Sequence, residues 1–242
     1  MCAWRPILAC GALLYAQVTQ AANPTYEENL QQGDPQWNEK VDIPFPANFD
    51  SVGYIKGYAS STSVNKGEAL SLYVSVNSPA DSAYSIIIYR LGYYHGAGAR
   101  LMMKFPATGS VSGYPQRPCS MNAGPPAGDG MVQCNWAKSY SFEVPASWTS
   151  GLYVAKLKLR SLVANVPDYN YIIFTVRDDA RKADIMYQQP IATYQAYNYY
   201  GGSSLYGCYV SNCTNGRAAY QESNPVVFCR YRSVSCDHHH RR

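Results

Sequence analysis

Apolar and polar residues alternate with period two through the middle of the chain, the pattern of strands that bury one face. In Ala69 to Val76, residues Leu70, Leu72, Val74 and Val76 share a face, after the turn Asn65-Lys66-Gly67. In Ala83 to Leu91, residues Tyr84, Ile86, Ile88 and Arg90 oppose Ser85, Ile87 and Tyr89. That run is almost continuously apolar, which predicts burial on both faces. Ile55 to Ser60, Arg100 to Phe105, Tyr140 to Val144, Leu152 to Leu159 and Tyr171 to Val176 complete seven predicted strands. Turn residues separate them at Ser78-Pro79, Pro145-Ala146, Ser150-Gly151 and Val166-Pro167. Seven short strands in roughly 120 residues predict an immunoglobulin-like β-sandwich over 54–180.

The flanks break this pattern. Residues 23–53 are polar and interrupted by Pro24, Pro35, Pro44 and Pro46, so they read as an extended arm or linker. Arg177-Asp178-Asp179-Ala180-Arg181-Lys182 is a charged run that marks a domain boundary. Beyond it, Ala183 to Gln188 predicts the first strand of a new unit, and 190–206 is aromatic and glycine-bearing without a clear helix signal. The stretch after the boundary is marginal for an independent core, because a unit of about 60 residues buries only ~60% of its surface.

Composition narrows the class. Charged residues are 15% and apolar residues 47% of the 242 positions, the reverse of a disordered chain. Tyrosine is the outlier, with 23 copies against 6 phenylalanines, which suits strands and loops better than helical bundles. A net charge of +4 does not suggest a nucleic-acid partner.

The first 22 residues read as a signal peptide. Arg5 provides the basic end, Ile7 to Val18 a short apolar stretch, and Thr19-Gln20-Ala21-Ala22 small residues for cleavage. No stretch is long enough to span a bilayer as a helix. A secreted or periplasmic location follows as an expectation. Removing the leader takes Cys2 and Cys10 and leaves six cysteines, an even number that favours disulfides in an oxidising compartment. Cys119 and Cys134 bracket the glycine- and proline-rich loop 118–130, and joining them would remove about 3 kcal/mol of unfolded-state entropy. Cys208 and Cys213 flank a short turn and either pair with each other or with Cys229 and Cys236.

Three segments carry candidate chemistry. Residues 89–100 hold glycines at 92, 96 and 98 between Arg90 and Arg100. A phosphate cradle is one reading, but both Walker and dinucleotide glycine orders are missing; a strand-to-strand connection with a bulge fits better. His95 is the only histidine outside the last five residues, so it reads as a loop side chain. No histidine-dependent zinc site or catalytic triad is encoded in the body of the chain. Asp178 and Asp179 are adjacent and diverge in an extended segment, so a linker salt bridge fits them better than acid–base work. Thr193-Tyr194-Gln195-Ala196-Tyr197-Asn198, ahead of Gly201-Gly202, is the third segment. A deprotonated tyrosine can ligate a hard metal ion; a hydrogen-bonded core tyrosine is the plainer alternative.

Several blocks resemble one family in order along 23–206. They are Asn23-Pro24 with Glu27-Glu28-Asn29, Gly57-Tyr58-Ala59-Ser60, Ser63 to Glu68, Ile88-Tyr89-Arg90-Leu91-Gly92-Tyr93-Tyr94, Cys134-Asn135-Trp136, Ile172 to Asp179, and the Thr193 to Asn198 block. The chain resembles the N,N-dimethylformamidase large (beta) subunit-like family, C-terminal type. The resemblance implies an immunoglobulin-like sandwich followed by an α/β domain similar to class I glutamine amidotransferases, which would start at 181. It also implies an iron held by two tyrosines and a glutamate, water attack on a small amide substrate, and a family-type oligomer. Tyr194 or Tyr197 would supply the first tyrosine ligand, with Tyr194 favoured. The later tyrosine and glutamate ligands have no matched positions, and the resemblance is expected to end near Asn224. The Cys- and His-rich tail beyond it reads as aberrant, as a frameshift or premature stop would leave it. A truncated, inactive homologue is therefore expected, with an exported non-catalytic binding or scaffold module as the alternative.

Overall fold

The computed structural model describes residues 23–38, 54–122, 131–162, 166, 168–198 and 200. The protein is mainly β, built on two sheets that share one core. The first sheet has three antiparallel strands in the order β1 (Ile55–Ala59), β3 (Ala69–Val76) and β9 (Tyr140–Glu143). The second has the order β2 (Ser63–Asn65), β11 (Tyr169–Arg177), β10 (Gly151–Leu159), β4 (Ala83–Leu91) and β5 (Ala99–Phe105). A short β6 (Val111–Ser112) also pairs with β4. Among the described residues only β2 and β11 run parallel; the other pairs in these sheets are antiparallel. A separate hairpin of β7 (Ser120–Met121) and β8 (Val132–Gln133) follows.

All seven strands expected from periodicity are present. The alternating face of β3 supplies Leu70, Leu72, Val74 and Val76, all buried. They meet Ile86 and Ile88 of β4, Leu157 of β10 and Phe174 of β11 in one cluster. Each such aliphatic side chain contributes about 1.5–3 kcal/mol through burial. An aromatic row runs across the core: Phe142 to Trp148 at 6.0 Å, Trp148 to Tyr153 at 5.0 Å, and Tyr153 to Phe174 at 5.6 Å between ring centroids. At Gly57 the two sheets approach so closely that a Cβ would lie 2.8 Å from Ile172 Cδ1 and Leu157 Cδ1.

Strand β4 is buried on both faces, as its apolar run predicts. The second face is covered by the N-terminal segment. Within the expected arm, Pro24–Asn29 form a short helix, α1, capped by the Asn23 side chain, which accepts from the Thr25 and Tyr26 amides. A 3-10 turn follows at Pro35–Trp37, capped by Asp34. Trp37 then packs beside Tyr89, Ala99 and Val154. Its indole donates to the Ala97 carbonyl at 3.0 Å, and its own carbonyl accepts from Tyr171 Oη at 2.7 Å. Lys156, only 2% exposed, donates to the Gln36 carbonyl at 2.8 Å and lies over the Tyr169 ring. This segment acts as a strap across the outer face of the larger sheet.

Candidate functional site

The glycine-bearing stretch 92–98 is the connection between β4 and β5, and the β4–β5 register shifts at Ile88/Tyr89 as a bulge requires. Gly98 has φ +85°, and a Cβ there would sit 2.9 Å from Trp37 Nε1. A Cβ on Gly92 would sit 2.6 Å from Asn29 Oδ1. These glycines make room for the strap. Tyr94 and His95 also adopt positive φ, +40° and +55°, which costs about 1–2 kcal/mol per residue and holds only because the surroundings enforce it.

Arg100 reaches the strap directly and Arg90 reaches it through Tyr94. Glu28 Oε1 accepts from Arg100 Nη1 at 2.8 Å and from Tyr94 Oη at 2.9 Å, and Glu28 Oε2 accepts from Thr149 Oγ1 at 3.4 Å. Arg90, 3% exposed, donates to Tyr94 Oη at 2.9 Å and to the carbonyls of Thr149 and Ser150. Asn29 Oδ1 accepts from the Tyr93 amide at 2.6 Å, and a His95 ring nitrogen meets the Leu30 carbonyl at 3.2 Å. Burial pushes the Tyr94 phenol up to about 12, with Arg90 opposing and Glu28 reinforcing. Burial likewise raises the Tyr153 phenol, whose Oη donates to the Thr149 carbonyl at 2.6 Å. This is a closed structural network: its donors and acceptors face one another rather than an open ligand site. The sequence carries the partners, Glu27-Glu28-Asn29 and Tyr89 to Tyr94, but no local signal that they meet.

The boundary acids behave as linker residues. Asp178 pairs with Lys66 at 3.0 Å, and Asp179 receives Arg177 Nη2 at 3.0 Å. The Arg177 guanidinium beside Asp179, with the coulombic attraction it adds, holds that carboxyl below the usual range. Beyond them, Ala183 to Gln188 does not form the expected strand, and Ile185 and Met186 are 87% and 88% exposed. A strand needs a neighbour to satisfy its backbone, and the described residues place none beside this segment. A helix appears instead where the sequence carried no helix signal: α2, Ile191–Ala196. Six residues are too few for a 3.6-residue period to register.

Tyr194 lies within α2 and Tyr197 at its end. Tyr194 faces a groove lined by Gly57, Ser61, Thr62, Tyr171 and Ile191. Its Oη receives Gln189 Nε2 at 3.4 Å, while Gln189 Oε1 is buried without a hydrogen-bond partner. Burial, then Tyr187, raise the Tyr194 phenol above its ordinary value. Tyr197 is 52% exposed. The end of the block is fixed by polar residues: Asn198, 1% exposed, donates to Gln195 Oε1 at 3.3 Å and accepts from the Tyr200 amide at 3.1 Å. Among the described residues no group of three or more His, Cys, Asp or Glu could hold a metal.

The Cys119–Cys134 disulfide forms as the loop argument expects. Cys208 and Cys213 lie outside the described residues, as do the predicted leader and the tail.

A family model described as N,N-dimethylformamidase beta subunit-like, C-terminal, matches residues 85–240. The chain belongs to this family. The match begins within β4, takes in β10, β11 and the Tyr194 block, and continues past Asn224, where the resemblance was expected to end. No curated protein matches the chain. No described helix of this N,N-dimethylformamidase-like protein is long and apolar enough to cross a membrane.

Proposed function

We propose that this chain is an exported N,N-dimethylformamidase-like protein whose described residues form an immunoglobulin-like scaffold, and that the chain by itself does not complete amide hydrolysis. The family match over 85–240 carries the N,N-dimethylformamidase-like part of the reading. The ligand set supports the inability to complete hydrolysis: the resemblance offers Tyr194 or Tyr197 for one tyrosine ligand and matches no position to the later tyrosine and glutamate ligands. No hydrolytic step is assigned to Tyr194 or Tyr197.

Three observations support the immunoglobulin-like reading. A three-strand sheet faces a six-strand sheet that begins with a short parallel strand, β2 on β11. Tyr153 near the start of β10 bonds back to the carbonyl of Thr149, the arrangement of a tyrosine corner. Trp148 stacks on that tyrosine in the core. The disulfide supports export to an oxidising compartment, and residues 1–22 would be the leader.

The test uses the purified 242-residue chain, assayed for bound iron and for release of amine from a formamide. No turnover is expected. Stoichiometric iron with turnover would overturn the proposal.

The second reading, a binding module, is favoured by one patch. Tyr26, Leu30 and Tyr93 are 60%, 47% and 71% exposed where α1 meets the β4–β5 connection. Binding of an oligosaccharide array by the whole chain, lost in Tyr93→Ala, would favour it. The strap must be retained, because it builds half of the patch.

A further inference from the structure

The outer face of the smaller sheet is also covered, by different means. Lys56 and Tyr58 of β1 and Tyr73 of β3 point away from the main core. Tyr58 stacks on Tyr73 at 4.8 Å and lies 5.3 Å from the Trp136 ring. Its Oη donates to the Cys134 carbonyl at 3.3 Å and accepts from the Trp136 amide at 3.1 Å. The indole of Trp136 donates to the Arg117 carbonyl at 3.0 Å. The cystine thus sits against an aromatic cluster that Tyr58 of β1 joins at the Cys134 end. Tyr200 completes the cluster: its Oη lies 3.2 Å from Cys119 Sγ and its ring lies under Lys56 Nζ at 5.6 Å.

Tyr200 belongs to the segment that carries α2. The Asn198 side chain joins it to Gln195 within that helix, so a tether on Tyr200 reaches Tyr194 through two short links. We propose that the Cys119–Cys134 disulfide is a redox-sensitive anchor that holds the Tyr194–Tyr200 segment on the outer face of β1 and β3. Two electrons and two protons from an external dithiol cleave the sulfur–sulfur bond. Cys119 and Cys134 become thiols, and the dithiol leaves as its cyclic disulfide. The contact that Cys119 presents to Tyr200 is then lost, and residues 191–200 open locally. The inference concerns the placement of the tyrosine block on which the proposed function turns. It is read without metal or substrate, so it stands or falls separately from the hydrolase assay.

The experiment compares amide hydrogen exchange in the whole chain, oxidised, in dithiothreitol, and as the Cys119→Ser/Cys134→Ser double variant. The double variant isolates this bridge from the four later cysteines. Exchange across 191–200 is expected to rise about tenfold or more in both reduced forms, while β10 and β11 stay protected. Tyr200→Ala is expected to release the same segment with the disulfide intact. Unchanged exchange at 191–200 in the double variant overturns the proposal. So does an increase confined to dithiothreitol, or a loss of protection that extends to β10 and β11, which would make the bridge a global stabiliser only.

Discussion

The N-terminal strap and the C-terminal segment both lie outside the core sheets, yet they are held differently. The strap ends in a buried polar network in which Glu28, Arg90, Tyr94, Arg100 and Thr149 satisfy one another, and it adds Trp37 to an apolar cluster. The segment from Ala183 to Tyr200 leaves Ile185 and Met186 in solvent, buries an unpartnered Gln189 Oε1, and meets the sheets through α2 and Tyr200. An unsatisfied buried acceptor costs about 1–3 kcal/mol, whereas a fully paired network rigidifies what it joins. Charge and proline content did not foretell this difference, since both segments are polar and proline-bearing. What separates them is whether their side chains find complementary partners on the sheets.

The largest expected effect falls on the strap network. Arg90→Ala removes the donor to the Ser150 carbonyl and to the Tyr94 phenol and one of two donors to the Thr149 carbonyl, and is expected to destabilise the fold by about 3 kcal/mol in urea titration. Trp37→Ala removes a partly buried indole and one hydrogen bond, and should cost about 2 kcal/mol. If it costs nothing, the strap is peripheral and the contrast fails.

Alkaline pH sharpens the same point. The Tyr94 phenol ionises at 10.0 when free and at about 12 in the fold. Between those values the folded state keeps a proton that the unfolded state has lost. The stability contributed by this group is therefore complete below pH 10.0 and declines as pH rises towards about 12. Tyr153 acts in the same direction. Tyr94→Phe should flatten that decline in denaturation measured across the window.

The smallest effects belong to the exposed segment. Ile185→Ser and Met186→Ser should each change stability by no more than about 0.5 kcal/mol. A loss as large as that of Trp37→Ala would mean the segment packs as firmly as the strap.

The strands were legible because burial on one face imposes a period of two on the residues themselves, as Leu70 to Val76 demonstrates. The two- and three-residue strands β2, β6, β7 and β8 were not, since so few positions cannot register a period. The glycines at 96 and 98 announced their positive φ. Their companion, Trp37, lies about 60 positions away and left no mark on the local pattern. The Tyr194 block stood out as a motif, but its surroundings, Gln189, Tyr187 and the Tyr200 tether, were hidden because they depend on how α2 rests against β1 and β11.

The sequence by itself determined the strand order along the chain, the core face of each long strand, the closing of the Cys119–Cys134 loop and membership of the family. These follow from local periodicity, loop entropy and blocks of residues in series. Only the tertiary structure decided that Glu28 would pair with Arg100, that the strap would bury Lys156, and that the cystine would meet Tyr200. Those contacts join positions far apart in the chain. Their energies arise from desolvation and geometry at the meeting point, which no single segment encodes.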